Sequence, residues 1–125
     1  MLEKDIEKYL REQVKTINGI AYKFTSPQRR SVPDRICLFP YSLVAFVECK
    51  APGKKATPAQ EREIKRMHNL GFLVLVIDSK EDVDKFIDYM RSTLDKYQAA
   101  DEQLQQKVKQ EADNKNAGNV IQLLN

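Results

Sequence analysis

Two apolar runs, residues 32–39 and 43–50, flank Pro40-Tyr41-Ser42, and charge enters them only at the ends remote from that break. This constrains the fold more than any other feature. With Tyr41 at the centre of the turn, an antiparallel register sets Leu38 against Val44, Ile36 against Phe46 and Asp34 against Glu48. Two carboxylates therefore meet at the open end. The side-chain period of two places Lys50 on the face of Glu48 and turns Cys49 to the other. Ile36, Leu38, Val44 and Phe46 line one side and Cys37, Phe39, Leu43, Ala45 and Val47 the opposite one, so a central hairpin buried on both faces is expected.

Abutting carboxylates repel, and one is driven toward protonation unless a cation holds them together. Oxygen donors suit a hard ion such as Mg²⁺ or Mn²⁺, which keeps waters and accepts a phosphate oxygen. With Cys49 on the other face and no histidine beside the acids, zinc is disfavoured. An ammonium at Lys50 could position an attacking water, stabilise developing negative charge or take part in proton transfer. Either half of this cluster alone is ordinary; their joint placement on paired strands is what points to chemistry.

Leu2, Ile6, Tyr9, Leu10, Val14 and Ile17 recur at helical spacing ahead of Asn18-Gly19, which marks a first helix. Residues 20–24 form a short strand, making a three-strand meander with the hairpin. Thr57 then caps a helix with Pro58 at its first position and Gln60 completing a capping box, running to Leu70 and Gly71. Residues 72–77 read as a buried strand. Asp78-Ser79 opens a last helix carrying Val83, Phe86, Ile87 and Met90 on one face. The order is αβββαβα, an α/β fold.

The chain has 125 residues, enough for one domain and an appendage. The domain is expected over residues 1–90. Residues 91–125 are polar, with five basic and five acidic side chains. In that stretch Leu94, Tyr97, Leu104 and Val108 roughly follow a heptad seam interrupted by Asp101, which suggests a helical arm for self-association, with a frayed tail from Asp113 as the alternative. Net charge is only +3, but residues 23–66 hold ten basic against four acidic side chains, a local surface that attracts phosphates. No apolar run approaches the roughly 18 to 20 residues of a membrane span, and the charged N-terminus lacks a signal peptide's apolar segment, so a cytoplasmic protein without membrane partners is expected. Cys37 and Cys49 lie roughly 13 Å apart in the hairpin register and should be reduced.

At Pro33-Asp34 and Glu48-Cys49-Lys50 the sequence resembles the PD-(D/E)XK nuclease superfamily. Within it, the resemblance is to the VRR-NUC family of virus-type replication-repair nucleases, whose pattern is a helix Glu, a strand Lys, Gly-Val-Pro-Asp, Glu-X-Lys and Ser-X-X-Gln. Here these read Glu3, Lys23, Ser31-Val32-Pro33-Asp34, Glu48-Cys49-Lys50 and Thr57-Pro58-Ala59-Gln60. Ser31 replaces the usual Gly and Thr57 the usual Ser. The likeness covers about residues 1 to 90 and leaves the tail aside.

The resemblance implies a restriction-endonuclease-like core, a central mixed sheet flanked by helices. It implies that Asp34, Glu48 and the Cys49 backbone carbonyl bind the metal, with Glu3 assisting through a water, that Lys50 is catalytic, and that Gln60 reaches the site from its helix. Helical-wheel arithmetic favours Glu3 over Glu7, at about 50° against about 90° from the centre of the apolar stripe. Lys23, Arg29, Arg30, Lys54 and Lys55 are expected to contact nucleic acid. His68, near a helix end, is not expected to take part. The implied function is a metal-dependent DNA endonuclease that uses water attack and leaves a 5′-phosphate. By analogy with small phage-encoded members, it would be a homodimer acting on branched DNA such as Holliday junctions. The alternatives are a non-catalytic nucleic-acid-binding module on the same fold and a restriction-type endonuclease.

Overall fold

The computed structural model describes residues 1–115. Its elements are α1 (Glu3–Thr16), β1 (Ile20–Lys23), β2 (Arg35–Leu38), a short 3-10 turn (Pro40–Ser42), β3 (Val44–Cys49), α2 (Pro58–Asn69), β4 (Leu73–Ile77) and α3 (Lys80–Asn114). This is the αβββαβα order, and the α/β fold is a mixed four-stranded sheet with helices on its faces. The strands lie side by side in chain order, β1, β2 and β3 antiparallel and β4 parallel to β3. A parallel pair cannot be joined by a tight turn, so α2 serves as the crossover between β3 and β4.

The hairpin has the register its sequence dictates, with Ile36 opposite Phe46, Cys37 opposite Ala45 and Leu38 opposite Val44. Its turn holds Tyr41 and Ser42 in the left-handed region, both at φ 62°. One face of the hairpin is sealed: Cys37, Ala45, Val47 and Cys49 are fully buried, as are Ile6, Leu10 and Val14 of α1 and Val83 of α3. Burying each such aliphatic side chain contributes roughly 1.5–3 kcal/mol. Phe39 meets Phe86 edge-on at 6.0 Å between ring centroids, and Tyr9 donates a 2.6 Å hydrogen bond to Asp84, joining α1 to α3.

The opposite face departs from the expectation of burial on both sides. Ile36 and Val44 are half-buried and Leu38 is 37% exposed, because α2 packs toward β4 and leaves the β1–β2 side of that face uncovered. Only Phe46 is well covered, between the rings of Phe24 and Phe72, each at 5.5 Å. The uniform burial expected of residues 72–77 fails for a related reason. β4 is an edge strand, so Val74 and Ile77 are buried while Val76 and Phe72 stay exposed. Both thiols are free and buried, and burial pushes the Cys37 thiol up to about 12 and the Cys49 thiol up as well.

Two compact units divide the chain, residues 1–91 and 92–125. In the second, residues 92–114 are helical, so the expected arm is a helix as far as it is described. Asp101, which interrupts the apolar spacing, accepts from Gln105 one turn on at 3.1 Å, while Tyr97 and Leu104 are exposed. Of the tail expected from Asp113, residues 113 and 114 belong to α3, and the part beyond residue 115 lies outside the described residues. No described helix is long and apolar enough to cross a membrane.

The exit from α1 shows why Asn18-Gly19 ends it. Asn18 adopts the left-handed conformation, φ 64°. Its N–H donates to the Lys15 carbonyl at 3.1 Å, and the Gly19 N–H donates to the Val14 carbonyl at 3.0 Å. This is a Schellman cap with Asn in the position glycine usually takes. Gly19 is there for space instead: a Cβ on it would lie 2.8 Å from both the Phe39 ring and Val14 Cγ1. Gly19→Ala should therefore destabilise the protein by about 1–3 kcal/mol through overpacking, while Asn18→Gly should be close to neutral. Urea unfolding midpoints of the two variants measure the difference, and an unchanged midpoint for Gly19→Ala would refute the steric account.

Candidate active site

The β2–β3 ladder stops at the pair Arg35 and Val47, one step before Asp34 would face Glu48. Side chains take over from backbone there. The Asp34 N–H donates to Glu48 Oε1 at 3.2 Å, and the Cys49 N–H donates to Asp34 Oδ1 at 3.1 Å. Each carboxylate is thus fixed by the backbone of the opposing strand. Glu48 is 6% exposed, and its second oxygen, Oε2, receives Lys50 Nζ at 3.2 Å and Gln60 Nε2 at 3.1 Å. A buried carboxylate so surrounded by donors has its charge compensated and its orientation fixed.

Gln60 also completes the capping box of α2. Its N–H donates to Thr57 Oγ1 at 3.1 Å, and its Oε1 accepts from the Thr57 N–H at 2.9 Å. Asp34, Glu48, Lys50 and Gln60 therefore converge at one end of the hairpin.

Glu3 joins them, but not alone. Carboxylate oxygens of Glu3, Glu7 and Asp34 lie within 4.8 Å of one another. The angular preference for Glu3 leaves out Glu7, which lies half-buried in the same cluster, while Glu3, one turn earlier, is exposed. A wheel gives direction around a helix, not the point along its axis where the helix crosses the neighbouring strand. Arg35 was also missed. Its Nε lies 3.5 Å from Glu7 Oε1 with both side chains largely covered, which sets a fixed positive charge behind the acidic cluster. The signal available was an arginine directly after the motif Asp, on the strand face that α1 covers.

The expected basic contacts divide. Lys23 and Arg30 are exposed, on β1 and on the β1–β2 loop. Arg29 pairs with the buried Glu63 of α2 at 3.5 Å, beside Arg66 at 3.6 Å, so it anchors the loop before Asp34. Lys54 and Lys55 open into a cleft lined by none of Asp34, Glu48, Lys50 or Gln60. His68 Nε2 lies 3.0 Å from the Val74 carbonyl and ties α2 to β4.

No family model matches the chain. A protein of Acyrthosiphon pisum secondary endosymbiont phage 1 named "Putative nuclease p44" is 54% identical over 79 residues, which are 63% of this chain and 85% of that protein. A solved structure described as a VRR_NUC domain aligns with a TM-score of 0.65 and 32% identity, over 69% of this chain and 94% of its own length. The chain belongs to the VRR-NUC family. The αβββαβα core above is accordingly the VRR-NUC fold.

Asp34 carries the electrostatic strain of this VRR-NUC site. Its carboxyl is pushed up from 3.8 to about 7, mainly by burial, then by the hydrogen bond with Glu7 and the charges of Glu48 and Glu7, against the lowering effect of the Cys49 N–H. An acid whose folded value is raised is held protonated by the fold, so its ionisation costs stability. That cost is absent below about pH 4, grows as pH rises, and is complete above about pH 7. Metal-free protein should lose stability across this window. Asp34→Asn, which keeps the acceptor for Cys49, should flatten the slope and stabilise at pH 8 by on the order of 1 kcal/mol after allowing for solvent screening. Thermal melts of both proteins from pH 4 to 8 test it; parallel curves would show that Asp34 bears no such cost.

Proposed function

We propose that this VRR-NUC protein is a Mg²⁺- or Mn²⁺-dependent DNA endonuclease that hydrolyses phosphodiester bonds. The observation that carries the proposal is the convergence of Asp34, Glu48 and Lys50 at one end of a buried hairpin, with Gln60 locking Glu48. The donor set fits a hard divalent cation: carboxylates of Asp34 and Glu48 and the Cys49 carbonyl as ligands, with Glu3 and Glu7 near enough to hold bound water. The raised Asp34 carboxyl belongs to the same argument, since four acids share this corner with Lys50 and Arg35 as the neighbouring cations. When bound, such an ion would polarise the scissile phosphate and lower the pKa of a nucleophilic water.

The chain's own residues do the rest. Lys50, held 3.2 Å from Glu48, keeps an ammonium beside the position of the reacting phosphate, where it orients water and offsets the charge gained on attack. Gln60 fixes the Glu48 oxygens and thereby the ligand geometry. Lys23, Arg30, Lys54 and Lys55 supply exposed charge for the DNA backbone. Selectivity for branched DNA such as Holliday junctions, action as a homodimer with the helix of residues 92–114 available for pairing, and a cytoplasmic setting complete the reading. A phage protein among its relatives is consistent with a phage origin. A non-catalytic binding module would not need Lys50 and Gln60 both aimed at a buried Glu48.

Cleavage of linear duplex, flap and four-way DNA by the purified protein in Mn²⁺ tests the proposal. Activity should vanish with chelator and fall about a hundredfold or more in Lys50→Ala or Glu48→Ala, with folding retained by circular dichroism. Because Asp34 must ionise to bind metal, apparent Mn²⁺ affinity should weaken by up to about tenfold per pH unit below 7. Equal nicking by wild type and Lys50→Ala would remove the assigned chemistry.

A further inference from the structure

On the β4 flank of α2 lies a cleft of about 550 Å³ that the catalytic cluster does not use. Its floor is apolar, with Ala56 from the β3–α2 loop, Ile64 from α2 and Val76 from β4, and Lys54, Lys55 and Lys65 stand around it. Glu61 and Asp78 also line it. Asp78 is already engaged, because its Oδ2 accepts the Gly53 N–H at 3.1 Å and so ties the loop bearing the lysines to the end of β4. That loop is itself shaped: Lys54 N–H donates to the Ala51 carbonyl at 2.9 Å across Pro52 and Gly53, with Gly53 at φ 80°, the signature of a type II turn.

The cleft is next to the chemistry. Val76 is the register partner of Glu48 on the adjacent parallel strand, so its side chain stands on the same face about 4.8 Å away across the sheet. α2 borders both places. Gln60 reaches Glu48 from its first turn, while Ile64, Lys65 and His68 face the cleft from the turns that follow. An apolar floor within a rim of three lysines against two carboxylates, Glu61 and the already engaged Asp78, at a volume in the range of small-ligand sites, matches neither a simple phosphate track nor an apolar ligand site. It matches a nucleotide, with a flat base to be covered and phosphates to be neutralised. His68 adds a polar edge, its Nε2 donating to the Val74 carbonyl, which can only accept.

We propose that this cleft is a nucleotide subsite, in which an unpaired base of the substrate rests on Ala56, Ile64 and Val76 while its flanking phosphates meet Lys54, Lys55 and Lys65. The inference rests on the nuclease reading and narrows it: among branched DNAs, those that expose an unpaired base within about a nucleotide of the scissile phosphate, as a flap or an opened junction centre does, fill this site. A fully paired duplex keeps its bases stacked and cannot fill the floor.

The test is equilibrium binding, with cleavage measured separately. In a Lys50→Ala background, fluorescence anisotropy would compare a labelled oligothymidylate, an abasic chain of the same length and charge, and a blunt duplex. The oligothymidylate should bind at least about fivefold tighter than the abasic chain, since covering a base face on the aliphatic floor supplies affinity that phosphates alone do not. Adding Lys65→Ala should weaken oligothymidylate binding severalfold and lower the salt dependence by about 0.7 in log–log slope, as for one lost phosphate contact on a single strand. Equal affinity for the thymidine and abasic chains would overturn the base subsite, and so would an effect of Lys65→Ala confined to duplex. Wild-type cleavage reports on the nuclease reading independently: no cleavage of any DNA with the base preference intact would sink that reading and leave the subsite.

Discussion

The reciprocal clamp between Asp34 and Glu48 is the interaction on which the site depends. Each carboxylate takes a backbone N–H from the other's strand, so the two acids are brought together by the hydrogen-bonding need of a sheet whose ladder has just ended. Buried N–H groups must find acceptors, and here the acceptors are the two carboxylates proposed to hold the metal. The clamp uses one oxygen of each carboxylate and holds both groups in a geometry they would not adopt by mutual attraction. Its cost appears at Asp34, whose carboxyl is driven up to about 7, while Glu48 is compensated by Lys50 and Gln60. The arrangement stores unfavourable electrostatics that a bound cation would relieve.

What keeps the clamp in place is the packing behind it. Cys37, Ala45, Val47 and Cys49 project from the hairpin into a core closed by Ile6, Leu10 and Val14. A one-residue slip of either strand would expose that set and separate the acids at the same time. Fold stability and site geometry are thus selected by one register. Arg35 belongs to this layer: from the α1 face it holds Glu7, and Glu7 in turn contacts Asp34, so α1 reaches the site through a pair of charges as well as through its apolar stripe.

Legibility in the sequence follows these distances. The hairpin register and the meeting of Asp34, Glu48 and Lys50 were readable because they depend on period-two alternation about a single turn. Gln60 was readable because a capping box fixes its position at a helix start. Glu7, the exposure of Leu38 and the separate cleft at Lys54 and Lys55 were not, since each depends on where one element crosses another. Glu7 depends on the depth at which α1 passes Asp34, Leu38 on how much of the sheet α2 covers, and the cleft on the parallel register that sets Val76 beside Glu48. These are tertiary relations, and local periodicity carries no term for them.

Gln60 joins the two kinds of information. At the third position of a helix, Glu and Gln complete a capping box equally well, because the box needs only an acceptor for the N-cap N–H. Here Oε1 serves that purpose toward Thr57, and the amide nitrogen is left to donate to Glu48 Oε2. A glutamate would preserve the helix start and place a second negative charge against a buried carboxylate. The helix tolerates either residue, but the site tolerates only the one with a donor, so the choice of glutamine reports the requirement of Glu48.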